Sequence, residues 1–282
     1  MSVSIFRFAP SPNGRLHLGH AYSALLNEHM AREVGGRFLL RIEDIDTVRC
    51  TPELADAMLI DLAWLDLRWE EPMLRQSEHL ERYHAVQQTL RDRGLLYPCF
   101  CSRQDIARKT GPDTQRDPEG QPIYPGTCRH MTAQDRAMRL AQGVPAAWRI
   151  DMRSALEGLL EPLVFVEEGS GSAVDKIAHP EAWGDVVLVR KDIGTSYHIA
   201  VVTDDARQAV THIVRGRDLF HATAIHRLLQ HLLVLPAPRY FHHDLIGDEA
   251  GRKLSKSLGS RSLRDLRQDG VSASDVRKAL GF

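Results

Sequence analysis

Two short motifs near opposite ends of the sequence carry side chains suited to phosphate chemistry. In the first, His17 and His20 stand three residues apart around Gly19, after a segment punctuated by Pro10 and Pro12. Where a strand turns into a helix, backbone N–H groups and the positive helix end bind anions. The two imidazoles can donate to phosphate oxygens, while the glycine leaves room for adenine or ribose. Taken alone, this motif could equally be an ordinary helix start with surface histidines.

The second motif is the basic sequence KLSKS at 253–257, flanked by Gly247 and Gly251. Activation of a carboxylate by ATP builds negative charge on the α-phosphate and on the leaving pyrophosphate. Lys253 and Lys256 can stabilise that charge in the transition state, and the glycines favour a loop that closes over the substrate. In isolation, a solvated basic loop is the alternative. The two motifs together predict an ATP site with Mg²⁺, in which both histidines and both lysines are catalytic.

Three cysteines form a further cluster with metal-ligand spacing. Cys99 and Cys101 are separated by one residue, which disfavours a disulfide between them, and Cys128 follows. Four N and S ligands around Zn²⁺ are the usual structural arrangement for such residues. Tyr124 and His130 are both available for the fourth position, and histidine is chemically the commoner ligand. The spacing predicts a structural zinc site, with buried reduced thiols as the alternative.

Alternating strands and helices must position these residues. We predict strands at 3–8 and 37–42, the first followed by a helix at 19–32. Thr51 and Pro52 start another helix, and Ser77 is predicted to cap a helix that ends at Gly94. Strand, helix, strand and helix in this order favour a parallel sheet with crossover helices.

The pattern of strands and helices changes at Pro98. We predict that the chain has four parts. Residues 1–98 and 183–260 form the two halves of an α/β catalytic domain. Residues 99–182 form an inserted α+β subdomain with the zinc site, and 261–282 form a short helical tail. The further elements predicted are irregular strands at 147–151 and 163–167, regular α/β segments at 185–190, 196–203 and 211–214, a helix at 218–234, a strand at 239–243, and helices at 261–267 and from Ser272.

Composition excludes some classes of protein. The chain has 282 residues with a formal net charge of −1, so its overall charge does not indicate nucleic-acid binding. We find neither a secretion signal nor an apolar run near 18 residues, which argues against a membrane partner. We therefore expect a cytoplasmic enzyme, and we expect it to be a monomer.

Five segments together resemble the catalytic half of glutamyl-tRNA synthetases, which are class I aminoacyl-tRNA synthetases. The resemblance covers roughly residues 4–100 and 184–260. It implies a Rossmann-type core that binds ATP between the two phosphate motifs, through His17, Gly19, His20 and Lys256. The segments that carry it are FAPSPNG at 8–14, HLGH at 17–20, LRIEDID at 40–46, VRGRDL at 214–219 and KLSKS at 253–257.

A glutamate site needs cations for the side-chain carboxylate and an acid for the ammonium group. Arg7 and Arg215 are candidate carboxylate clamps, and Glu43 is the candidate partner of the α-amino group. Tyr197 can add a hydroxyl hydrogen bond. The resemblance implies that these positions, together with Ser11, line the glutamate pocket. The alternatives are a structural ion pair for Arg215 and a simple core role for Tyr197.

The resemblance also bears on the zinc site and on the acceptor of glutamate. A short form of the family uses a tyrosine as the fourth zinc ligand, and Tyr124 lies where that pattern places it. Only 25 residues follow Ser257, too few for the helical anticodon-binding region of full glutamyl-tRNA synthetases. We therefore expect that this chain has no anticodon-binding domain.

Three functions are compatible with such a chain. Truncated members of the family make glutamyl-adenylate and transfer glutamate to queuosine in the anticodon loop of tRNA(Asp), and the length and the cysteines favour this function. A minimal enzyme that charges the 3′ end of tRNA(Glu) is the second. The third is an inactive module that only binds RNA or a partner protein, and the intact phosphate motifs argue against it.

Overall fold

The first strand of the chain lies in the interior of a largely parallel sheet. This sheet is seen in a computed structural model that describes residues 3–169, 171–247 and 261–282. In chain order the strands are β1 (Ile5–Phe8), β2 (Arg37–Ile42), β3 (Glu70–Arg75), β4 (Leu96–Cys99), β5 (Ala147–Ile150), β6 (Val164–Glu168), β7 (Ala173–Ile177), β8 (Val187–Val189), β9 (His212–Gly216) and β10 (Arg239–His243).

Helices connect these strands, and most begin where the sequence supplies a capping side chain. Thr51 accepts from the N–H of Leu54 and is followed by proline, while Ser272 and Asp275 form a capping box, so both predicted helix starts are confirmed. The helices are α1 (Leu18–Glu33), α2 (Pro52–Trp64), α3 (Leu80–Asp92), α4 (Arg103–Lys109), α5 (Ala133–Ala141), α6 (Met152–Leu156), α7 (Tyr197–Arg207), α8 (Thr223–Leu232), α9 (Leu263–Gln268) and α10 (Ala273–Ala279).

Within the described chain, the main sheet has seven strands in the order β3-β2-β1-β9-β10-β6-β7. The pairs from β3 to β6 are parallel, and β7 pairs antiparallel with β6. Such neighbours require crossover helices, and two clusters of buried apolar residues hold the helices and strands together. The predicted parallel sheet with crossover helices is confirmed, and it aligns the carboxyl ends of its strands along one edge.

The residues predicted as an insertion contribute to both sheets of the described structure. β5 pairs antiparallel with β4 and β8 in a three-stranded sheet, beside which Tyr97, Tyr124 and the cysteines form a small buried cluster. The β6–β7 hairpin instead extends the main sheet, because Glu167 of β6 pairs with Tyr240 of β10. The hairpin therefore connects this part of the chain to the catalytic edge.

Three sequence expectations need correction. Ser77 does not cap α3; it lies in a 3-10 turn, where its N–H and hydroxyl donate to Asp44 at 2.9 and 2.8 Å. The strand β3 escaped prediction because it contains Pro72, and the structure places it at a sheet edge, where proline is tolerated. The helix expected from residue 218 begins as α8 at Thr223, after a separate 3-10 turn at Arg217–Leu219.

Among the described residues, no helix is both long enough and apolar enough to cross a membrane.

Candidate active site

The carboxyl edge of the main sheet gathers most of the predicted site residues. Arg7 lies near the end of β1, Glu43 directly follows β2, and Arg215 lies near the end of β9. His17 caps the amino terminus of α1, and Tyr197 is the first residue of α7. Crevices at this edge of a parallel sheet are the usual ligand sites of such folds.

Both histidines of the first motif use Nδ1 to accept a backbone hydrogen bond. The N–H of Gly19 donates to Nδ1 of His17 at 3.1 Å, and the N–H of His17 donates to Nδ1 of His20 at 3.2 Å. A neutral imidazole whose Nδ1 accepts carries its proton on Nε2. Nε2 is therefore the donor atom of both rings, which lie 3.9 Å apart at the positive end of α1. A Cβ at Gly19 would lie 3.0 Å from Cε1 of His17, so any larger residue would crowd the ring.

The second motif lies outside the described residues, and the roles of Lys253 and Lys256 stay predictions. The chain that follows it is described and returns to the first motif. Ser262 forms an isolated antiparallel bridge with His17, and the N–H of Leu263 donates to the carbonyl of the residue before His17 at 2.8 Å. The chain is thus anchored at the amino terminus of α1 six residues after Lys256.

Arg7 is held by a carboxylate of the protein itself. Its Nε donates to Oδ1 of Asp205 at 2.9 Å, and Nη1 of Arg41 donates to the same oxygen at 2.7 Å. Nη2 of Arg41 also donates to Oε1 of Glu43 at 3.0 Å. Two arginines and two carboxylates therefore form a buried cluster in which the formal charges balance.

The pKa values of the two carboxyl groups in this cluster move in opposite directions. Burial favours the neutral acid at Asp205, but Arg41 and Arg7 more than offset this and lower its pKa. At Glu43, burial outweighs the same two arginines and raises the pKa. Glu43 would consequently gain from an additional cation, such as the α-ammonium group of an amino acid.

Arg215 differs from Arg7 because its hydrogen-bond partners in the described chain are all neutral side chains. Nε donates to Nε2 of His242 at 3.1 Å, and Nη2 donates to Oγ1 of Thr223 at 2.7 Å. Nη1 lies 3.3 Å from both the hydroxyl of Tyr197 and Nδ1 of His226. The ion pair considered for Arg215 is therefore not found among the described residues.

The imidazoles around Arg215 are kept neutral by their surroundings. Burial lowers the pKa of His226 and His242, and the charge of Arg215 lowers both further. His198, whose Nδ1 lies 3.2 Å from Nε2 of His226, has its pKa lowered to about 4 by burial and by Arg215. Among the described residues, no carboxylate contacts the buried charge of Arg215 directly, so binding of an anion there would be favourable.

Ser11 lies beside a buried thiol. Its Oγ is 3.4 Å from Sγ of Cys50, which also points toward the carbonyl of Glu43. Burial raises the pKa of this thiol above its ordinary value, so Cys50 stays protonated near neutral pH. Ser11 and Glu43 are therefore close neighbours at the sheet edge, as the prediction of a shared pocket requires.

The three clustered cysteines come together in space. The Sγ atoms of Cys99, Cys101 and Cys128 all lie within 4.8 Å of one another. The hydroxyl of Tyr124 lies 3.5 Å from Sγ of Cys101, and its oxygen accepts from the N–H of Cys128 at 2.9 Å. His130 is exposed and does not belong to this group among the described residues. Three thiols and one phenol in a compact set fit the fourfold coordination that zinc prefers.

A cavity of about 810 Å³ adjoins the sheet edge. It lies between the end of β10, the β6–β7 hairpin and Tyr22 of α1. Its lining includes His243, whose buried Nε2 has no hydrogen-bond partner among the described atoms. The volume is within the range of small-molecule sites.

Most of the residues that contact Arg7 and Arg215 were not predicted from the sequence. Asp205 and Thr223 lie inside helical segments, and His226 and His242 belong to no motif. The available signal was weak: polar residues at positions of a helix or strand that otherwise face the core. Their partners are far away in sequence, and only the fold reveals them.

Comparisons with known proteins agree with this arrangement. The family model for the catalytic domain of class I tRNA synthetases (E and Q) matches residues 4–280. A glutamyl-Q tRNA(Asp) synthetase from Rhodobacter capsulatus is 45% identical over 284 residues, which cover 99% of this chain and 100% of that protein. One from Symbiobacterium thermophilum is 39% identical, with 98% of this chain and 85% of that protein covered.

Solved structures show the same fold. A glutamate-tRNA synthetase from Elizabethkingia anophelis superposes with a TM-score of 0.73 at 25% identity over 95% of this chain. A glutamate tRNA ligase from Elizabethkingia meningosepticum, in complex with its amino acid, gives a TM-score of 0.72 at 27% identity over 96% of this chain. This chain spans about half the length of each, 54% and 53% respectively. The chain therefore belongs to the class I tRNA synthetases (E and Q), a family of ligases, and matches their catalytic domain.

Proposed function

We propose that this protein activates L-glutamate with ATP and transfers it to the queuosine base in the anticodon loop of tRNA(Asp). The observation that carries the choice of glutamate is the environment of Arg215. This buried guanidinium has only neutral partners in the described chain, so its charge is available to a substrate carboxylate. A bidentate pair with the γ-carboxylate would supply the missing anion.

The remaining residues complete the amino-acid pocket. Glu43, whose pKa is raised by burial, gains a second cation beside Arg41 when the α-ammonium group binds. The hydroxyl of Tyr197 lies 3.3 Å from Nη1 of Arg215 and adds a donor or acceptor at the same edge. Ser11 borders the pocket next to Glu43. Arg7 acts through the charge-balanced cluster that fixes Glu43, and not as a free carboxylate clamp.

Activation joins a carboxylate oxygen of glutamate to the α-phosphorus of ATP and releases pyrophosphate. The Nε2–H groups of His17 and His20, at the positive end of α1, donate to the phosphate oxygens as negative charge builds there. Lys253 and Lys256, in the second motif, add positive charge. ATP occupies the cavity beside His243, with Mg²⁺ bound to its phosphates.

Zinc has a structural role in this proposal. Cys99, Cys101, Tyr124 and Cys128 would hold it, and the ion would fasten the segment around β4 and β5. The site lies in a separate apolar cluster from the glutamate pocket, so no chemical step depends on it. The proposed boundaries of this inserted part are 99 and 182.

The acceptor is proposed from the relatives. The proteins named glutamyl-Q tRNA(Asp) synthetase are matched over 81% to 100% of their length, and those named glutamate–tRNA ligase over 54% to 58%. A hydroxyl of the cyclopentenediol ring of queuosine would attack the activated carbonyl and release AMP. Charging of tRNA(Glu) is the second candidate, because glutamate–tRNA ligases are up to 39% identical to this chain.

Transfer of labelled glutamate to three purified RNAs tests the proposal. With ATP and Mg²⁺ present, we expect label on tRNA(Asp) that carries queuosine, and none on tRNA(Asp) that lacks it or on tRNA(Glu). Label on tRNA(Glu) would establish a charging enzyme instead. No label on any RNA, together with no glutamate-dependent pyrophosphate exchange, would contradict the proposed activity altogether.

A further inference from the structure

We propose that Glu167 and His242 are positioning residues that orient Arg215 for the carboxylate of substrate glutamate. The inference rests on the proposed function, because it assumes that Arg215 binds that carboxylate. It adds two residues that lie in none of the sequence motifs, and it assigns to the β6–β7 hairpin a part in the choice of amino acid.

Glu167 holds His242 through two hydrogen bonds. Its Oε1 accepts from the backbone N–H of His242 at 2.9 Å, and its Oε2 lies 2.7 Å from Nδ1 of the ring. The His242 side chain is 1% exposed and that of Glu167 is 15% exposed, so solvent competes little for either contact. The ring is thereby fixed in both place and rotation.

These contacts determine which nitrogen of His242 carries the proton. A carboxylate only accepts, so Nδ1 must donate to Glu167, and burial keeps the ring in its neutral form by lowering its pKa. The lone pair then lies on Nε2, which accepts from Nε of Arg215 at 3.1 Å. Thr223 closes the same edge, since its Oγ1 accepts from Nη2 of Arg215 at 2.7 Å and lies 3.3 Å from Nε2 of His242.

This arrangement also explains how Arg215 is oriented without losing its charge to a protein carboxylate. Glu167 acts on the guanidinium only through the neutral ring, and Arg215 forms no ion pair with a carboxylate of the described chain. Arg7 shows the contrast, because Asp205 contacts it directly. Glu167, acting through His242, fixes the orientation of Arg215 and leaves its positive charge for the ligand.

The substitution Glu167→Gln separates this role from simple packing. Glutamine has nearly the same shape, but one of its two terminal atoms is a donor. Its oxygen can accept from the backbone N–H of His242 only if its NH₂ group meets Nδ1. The ring must then carry its proton on Nε2, which places two donors, Nε2–H and Nε–H of Arg215, against each other.

We expect Glu167→Gln to raise the KM for glutamate in pyrophosphate exchange about tenfold, as loss of one buried hydrogen bond to a charged group would. The KM for glutamate should rise by a larger factor than the KM for ATP, and the melting temperature should stay close to that of the wild type. Glu181→Gln is the matched control, because Glu181 makes a similar 2.9 Å contact with His179 on the surface, and its KM for glutamate should equal that of the wild type.

Two variants of the ring provide an independent test. His242→Phe removes the acceptor for Arg215 and should raise the KM for glutamate, whereas the amide oxygen of His242→Gln can occupy the position of Nε2 and should recover part of the loss. One outcome would overturn the positioning role alone. In it, the wild type shows glutamate-dependent exchange, Glu167→Gln has an unchanged KM for glutamate, and the two ring variants have equal KM values for glutamate. Absence of glutamate-dependent exchange in the wild type would instead refute the proposed function, and the inference with it.

Discussion

Nε of Arg7 lies 2.9 Å from Oδ1 of Asp205, although the two residues are 198 positions apart in sequence. Arg41 shares that carboxylate oxygen at 2.7 Å. Asp205 therefore balances two buried cations at the end of the first two strands. Arg7, at the carboxyl edge of the sheet, thus stabilises the fold through an ion pair with the protein itself.

Asp205→Asn should destabilise the protein strongly. Removing one partner of a buried ion pair leaves an uncompensated charge and costs about 3–5 kcal/mol. Urea unfolding measures the loss, and Asp175→Asn, at an exposed position of β7, is the control that should change stability by less than about 0.5 kcal/mol. Equal stability of the two variants would show that the cluster does not hold the strand ends.

Arg215→Ala should mainly weaken glutamate binding. Loss of a buried charge pair costs about 2–5 kcal/mol, which corresponds to a rise in the KM for glutamate of about 30-fold to 5,000-fold. Arg215→Lys should recover only part of this loss, since lysine lacks the planar fork. Pyrophosphate exchange at varied glutamate and ATP gives both KM values, with the exposed Arg153→Ala as control. If only transfer to RNA suffered, the assignment of the pocket would be wrong.

Lys256→Ala should reduce adenylate formation by orders of magnitude, because the lysine is proposed to stabilise charge that exists only in the transition state. The melting temperature should change little. Lys278→Ala is the control, because Lys278 is an exposed lysine in the last turn of α10, outside the site. Pyrophosphate exchange at the wild-type rate in the Lys256 variant would contradict the predicted role of the motif.

The purified protein should contain about one zinc ion per chain, bound through Tyr124. Tyr124→Phe should lower the zinc content and the melting temperature, whereas His130→Ala should change neither, because the structure places His130 outside the cluster. Elemental analysis and thermal unfolding with and without a chelator measure both effects. The reverse pattern would make His130 the ligand, and a metal-free wild type would leave the cysteines as reduced thiols.

Local sequence predicted the parts of this protein whose determinants are contiguous. His17, Gly19 and His20 lie within four residues, and together with the KLSKS motif they predicted a phosphate site, while the caps at Thr51 and Ser272 marked helix starts correctly. Arg215 was predicted as a clamp together with Tyr197, but its partners His242, Thr223 and His226 were not predicted. His242 and Glu167 reach it only because β9, β10 and β6 lie side by side, a consequence of the strand order that no local pattern encodes. The same limit concealed Asp205 behind Arg7.

The bridge between Ser262 and His17 has a consequence for the carboxyl-terminal helices. Leu263, at the start of α9, is buried in the same apolar cluster as Leu16 and Ala21, on either side of His17. The tail therefore packs against the start of α1, and unfolding of α9 would expose the chain around His17 to solvent.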